Sequence, residues 1–198
     1  MGSSGARIAG AAALVAAALG AQAAPAHADP AFDAFRDLCV NTRAEAPAAL
    51  AAADSRGWTD MPPMFLDEIT KQGFSGGEGR AKMQNRVLML MYAGRGAPVI
   101  DGVPVPVRVC ALGARPLDGE AIRKAAADWA GVPADPALPA HKGEAFAFLD
   151  DDGAHKAIAA AELKTPRGKD LIRQGRVGML FVAGQPAAPL IIYAIPSS

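Results

Sequence analysis

The sequence predicts an α+β fold, a mostly antiparallel sheet with helices packed on it. Two kinds of segment carry this reading. Short apolar runs at 86–92 (RVLMLMY), 177–182 (VGMLFV) and 190–195 (LIIYAI) lack a polar alternate face, the pattern of strands covered on both sides. Between them lie segments whose apolar residues recur three and four positions apart, as in amphipathic helices. A third observation sets the pairing: the late strands are joined by short Asp-Gly or Gly/Pro turns, which connect antiparallel neighbours.

Taken in order, Asp29-Pro30 supplies an N-cap and a first-turn proline. Phe32, Phe35, Leu38 and Cys39 then follow at helical spacing, which predicts a first helix over 30–40. A second helix is expected over 46–55, stopped at Gly57 with Trp58 packing back on its last turn. Thr42 and Glu45 have the spacing of a capping box, whereas Pro47 suits a first turn, so the start of this helix is left open. Residues 62–71 predict a short helix and 73–79 (GFSGGEG) a glycine-rich loop.

Over 103–112 the valines at 103, 105, 107 and 109 share one strand face, and Arg108, Cys110 and Leu112 share the other. Pro104 and Pro106 cannot donate to a ladder, so this strand starts at an edge or pairs only from Val107 onward. Residues 118–130 predict a helix with Ile122, Ala125, Ala126 and Trp129 on one face and Gly131 beyond its end. Residues 146–149 and 155–158 flank an Asp-Gly turn as a hairpin, and Thr165-Pro166 opens a short helix to Arg173 that Gly175 ends.

Composition narrows the function classes. The 198 residues are 51% hydrophobic and 20% charged, which is globular composition. Twenty Lys plus Arg balance twenty Asp plus Glu, so there is no overall basic field of the kind nucleic-acid binding by phosphate neutralisation requires. Nucleic acid is therefore not an expected partner.

Arg7 is the one charged residue before Asp29, an Ala-rich apolar run spans 8–19, and Ala26-His27-Ala28 follows. That is the layout of a cleavable secretory signal over 1–28, with cleavage after Ala28. The strongly apolar core of about 12 residues is short against the roughly 20 that span a bilayer. No later stretch is long and apolar enough to span one, so no transmembrane segment is expected after cleavage. The mature chain, 29–198, then has about 170 residues, enough for a single α+β domain in the periplasm or outside the cell. The alanine-rich style is that of a bacterial protein.

Cys39 and Cys110 are the two cysteines, and an exported chain with two usually joins them. A bond between them would pin the first helix to the sheet face that carries Cys110 and Leu112. Two separate buried thiols are the alternative.

The halves 29–115 and 116–198 show an internal echo. Residues 86–94 (RVLMLMYAG) match 176–184 (RVGMLFVAG) at six of nine positions, and Ala-Ala-Ala-Asp occurs upstream of each, at 51–54 and 125–128. Duplication explains this, and so does generic strand composition in an alanine-rich chain.

Candidate chemistry is sparse. Gly73-Phe74-Ser75-Gly76-Gly77 fits the G-x-S-x-G pattern of a nucleophile elbow, but that elbow needs a strand before it and a helix after it. A Ser75 nucleophile would require His141 or His155 as base and one of Asp150 to Asp152; both histidines read more simply as turn residues. The acids at 150–152 lack the spacing of an EF-hand, so no metal site is predicted, and no motif implies a cofactor. Lys164, Arg167, Lys169, Arg173 and Arg176 gather five positive charges beside the helix start at Thr165-Pro166, a candidate anion site whose alternative is a solvated helix face. Arg80, Lys82 and Arg86 would join them if the halves were symmetric. Trp58 and Trp129 read as core residues.

These observations lead to an exported, non-enzymatic binding or envelope-interaction protein, its partner a protein or a small anionic ligand of the cell envelope. The alternatives are a small exported serine hydrolase using Ser75 and an anion or acidic-glycan binder using the 164–176 cluster.

Overall fold

The computed structural model describes residues 29–71, 73–97, 99–100, 103–138, 143–151, 154–185 and 187–197. The expected signal over 1–28 lies outside them. Helix α1 (Pro30–Phe35) begins as the sequence indicates, with Asp29 Oδ1 accepting from the Ala31 amide at 2.8 Å. It runs on into a π-helical turn (Arg36–Val40), so the expected 30–40 helix is one rod that widens midway. After α2 (Ala46–Ser55), β1 (Thr59–Asp60) and α3 (Pro63–Lys71) come β2 (Ser75–Gln84), β3 (Val87–Gly96), β4 (Val99–Ile100), β5 (Val103–Pro104) and β6 (Val107–Arg115). Helix α4 (Gly119–Ala130) then precedes β7 (Glu144–Asp151), β8 (Ala154–Ala157), α5 (Ala160–Leu163), α6 (Pro166–Arg173), β9 (Val177–Gln185) and β10 (Ala188–Pro196). No helix among the described residues is long and apolar enough to cross a membrane.

Eight of these strands form one antiparallel sheet in the order β1-β2-β3-β6-β10-β9-β7-β8, with β4 and β5 paired apart from it. The apolar residues of the central strands divide between two buried clusters. Phe32, Phe35, Leu38, Ala49, Ala53, Ile122 and Ala126 of the helical segments share one buried cluster with Met91, Cys110, Leu112, Leu180 and Tyr193 of the sheet. The alternate strand residues Tyr92, Val107, Val109, Met179 and Phe181 face a second cluster, joined by Ile158, Leu163 and Leu171. As the prolines dictate, the long pairing of the 103–112 segment starts at Val107, where it meets Gly96 and Pro196.

Two local expectations are corrected. The glycine-rich stretch is a strand: β2 starts at Ser75 and carries a bulge between Ser75 and Glu78. Gly76 has φ +59°, whereas Gly77 and Gly79 answer to packing, since a Cβ at Gly77 would lie 2.6 Å from the Tyr92 hydroxyl and one at Gly79 2.7 Å from Met61 Cε. The Thr42/Glu45 capping box does not form: Glu45 is the N-cap residue but makes no side-chain cap bond.

Candidate functional site: an arginine-lined cleft at one end of the sheet

The turn after the π-helical segment shapes the site. Arg43 and Ala44 both have φ +54°, the left-handed region that non-glycine residues avoid. The turn is held by Ala44 N–H donating to Cys39 C=O at 2.9 Å and Arg43 N–H to Val40 C=O at 2.8 Å. It delivers two side chains to the end of the sheet where β6 begins and β10 finishes. Arg43 donates to Asp150 Oδ2 at 3.0 Å and to the Gly175 carbonyl at 2.8 Å, while Glu45 pairs with Arg108 of β6.

Between this turn and the C-terminal end of α6 lies a cleft of about 470 Å³. Its charged walls are Arg43, Glu45, Arg108 and Arg173, with Ile172 and Ser197 beside them. Arg173 also pairs with Asp170 one turn back on α6. Arg108 uses Nη1 for Glu45, and its Nε is buried with no hydrogen-bond partner among the described residues. A buried unsatisfied donor of this kind costs about 1–3 kcal/mol, more on a charged group. Tyr193 lies under the same end of the sheet; burial and the Asp150 carboxylate push its hydroxyl up to about 12, against a smaller opposing pull from Arg43 and Arg108.

The basic cluster read from the sequence is divided by the fold. Arg173 enters the cleft, Arg176 pairs with Asp151, and Arg167 and Lys169 stand exposed on α6, with Lys164 exposed at the end of α5. The start of α6 is occupied by its own cap, the Thr165 hydroxyl accepting from the Gly168 amide at 3.1 Å. Arg80 and Lys82 do not join the cluster: Arg80 pairs with Asp54 and Glu78, and Lys82 donates to the Arg56 carbonyl beside α2. Asp150 and Asp151 each hold an arginine, and Asp152 lies outside the described residues.

Ser75 is exposed at the head of a strand, not at a strand-to-helix elbow, and its carbonyl accepts from the Tyr92 hydroxyl at 3.1 Å. His155 sits on β8, six strand spacings from β2, or about 29 Å at roughly 4.8 Å per strand. Its ring stacks on Phe148 at 4.1 Å and meets Trp129 edge-on at 4.5 Å, and Nδ1 lies 3.1 Å from the Ala130 carbonyl. The fold therefore does not bring Ser75 and His155 together; His141 lies outside the described residues. Trp58 is buried in the first cluster and Trp129 packs on Phe148 and Tyr193.

Sequence reasoning missed Arg43, Glu45 and Arg108 because they are unremarkable locally and meet through sheet register and a left-handed turn. Arg108 on the same strand face as Cys110 was the available clue. Comparison with protein-family models, with curated proteins and with solved structures finds no match in any of the three.

Proposed function

We propose that this is an exported, non-enzymatic binding protein that seats a small anionic ligand in the cleft between Arg43, Arg108 and Arg173. The observation that carries the reading is the charge of the cleft, whose lining among the described residues holds three arginines, Arg43, Arg108 and Arg173, and one carboxylate, Glu45. An anion seated there would accept charge-assisted hydrogen bonds from these guanidinium groups. The strained Arg43-Ala44 turn supports it, since left-handed non-glycine residues persist where a side chain must be held in one place.

Export rests on the layout of residues 1–28 and on the Cys39–Cys110 bond, which suits an oxidising compartment. The mature chain is read as one domain made of two related halves. In support, β2-β3-β6 and β7-β9-β10 run inward from opposite edges to meet at the β6–β10 pair, and α2 and α4 contribute to the same cluster.

Isothermal titration of the purified protein with inorganic phosphate at low ionic strength tests the binding reading. It predicts saturable one-to-one binding that weakens about tenfold in Arg108→Gln, a loss of about 1.4 kcal/mol. Absence of saturable heat, or equal affinity in the variant, contradicts it. For export, the intact mass of protein recovered from the host's envelope should begin at Asp29; a mass beginning at Met1 refutes cleavage.

A further inference from the structure

We infer, resting on the reading of the cleft as an anion seat, that Arg95 extends this seat and that the ligand carries at least two anionic groups on separate centres. Arg95 of β3 is the direct cross-strand partner of Arg108, in a register that runs unbroken from Leu88↔Arg115 to Gly96↔Val107. Directly opposed residues share a sheet face, so both guanidinium groups rise from the face that carries Ala93 and Cys110. Two like charges in that position repel and destabilise the pair, and side chains opposed in this way lie within about 5.5 Å at Cβ.

The distribution of carboxylates sharpens the point. Each arginine of the cleft has its own acidic partner: Asp150 for Arg43, Glu45 for Arg108, Asp170 for Arg173. Arg95 is exposed and has no ion pair among the described residues. The excess positive charge of this end of the sheet therefore stands at Arg95, one strand over from the unanswered Arg108 donor. An anion with one charged centre answers Arg108 and leaves the Arg95–Arg108 repulsion in place. A compact polyanion with carboxylate or phosphate groups a few bonds apart answers both guanidinium groups and removes the repulsion.

Calorimetric titration with citrate and with inorganic phosphate, on the unaltered protein and on Arg95→Gln and Arg95→Lys, tests this. Citrate is expected to bind about tenfold more tightly than phosphate; Arg95→Gln should abolish that advantage by weakening citrate more than phosphate, and Arg95→Lys should keep most of it. Arg95 is exposed, so neither change disturbs the core. If phosphate binds at the cleft but citrate has no advantage, or keeps it in Arg95→Gln, the polyanion inference fails and the cleft reading stands. If neither ion binds saturably, both fall together.

Discussion

Cys39 in the π-helical turn and Cys110 in β6 are joined by a disulfide, their Cα atoms 5.2 Å apart and both residues fully buried. The bond ties the first helical rod to the central sheet two residues from Arg108 and four from Arg43. It thereby fixes, relative to each other, two of the three segments that wall the cleft.

Removing that bond should be costly. Closing a loop of 71 residues constrains the unfolded chain by about 4 kcal/mol in the chain-entropy treatment. The Cys39→Ser/Cys110→Ser double variant should melt roughly 10 °C lower, read by circular dichroism. A melting temperature within a degree or two of the parent's would show that the bond does not hold the rod on the sheet.

Gly168 gives a prediction whose sign opposes helix propensity. Replacing a mid-helix glycine with alanine ordinarily stabilises by up to about 1 kcal/mol. Here a Cβ would fall 2.1 Å from the Glu162 carbonyl oxygen and 2.7 Å from Leu163 Cα, both backbone atoms of α5. Gly168→Ala should therefore destabilise by about 1–3 kcal/mol in urea unfolding. Because α6 carries Ile172 and Arg173 into the cleft, phosphate affinity should fall as well. A gain in stability would mean that α5 and α6 are not packed this closely.

The two tyrosines predict an alkaline limit. Burial raises Tyr92, and burial assisted by Asp150 raises Tyr193 to about 12, against an ordinary value of 10.0. The folded protein thus holds protons that the unfolded chain has released, so stability is complete below pH 10 and is lost as pH rises from 10 towards 12. A spectrophotometric phenolate titration should show neither tyrosine ionising at its ordinary value while the fold persists. Normal titration of either one would contradict its burial.

Much of the fold was legible because its signals are local. The caps at Asp29 and Thr165 and the stop at Gly131 mark helix ends by chemistry the backbone demands, and all three act as read, while Asp118, expected as the first residue of its helix, is the N-cap. The alternation over Val107, Val109, Cys110 and Leu112 sorts onto the two faces it implied. Strand β2 was illegible because Gly76, Gly77 and Gly79 signal a loop, while at Gly77 and Gly79 the reason for glycine lies on other segments, in the Tyr92 ring and in Met61. The capping-box spacing of Thr42 and Glu45 misled for a related reason. Arg43 and Ala44 turn left-handed between them, and the Glu45 carboxylate leaves the helix start for Arg108, a partner 63 residues away. The cleft is assembled from such distant partners, so a reading of neighbouring charges found Arg173 alone.

The most direct test of the anion seat watches the guanidinium groups themselves. In nitrogen-15 labelled protein, the side-chain Nε–H resonances can be followed during titration with inorganic phosphate, with Arg108 assigned by its disappearance in Arg108→Lys. A saturable shift of the Arg108 Nε–H is expected, accompanied by Arg43 and Arg173, while Arg80, held by Asp54 and Glu78, stays still. A stationary Arg108 signal, or shifts confined to exposed residues such as Arg167, would contradict the anion seat and return the cleft to a purely structural role.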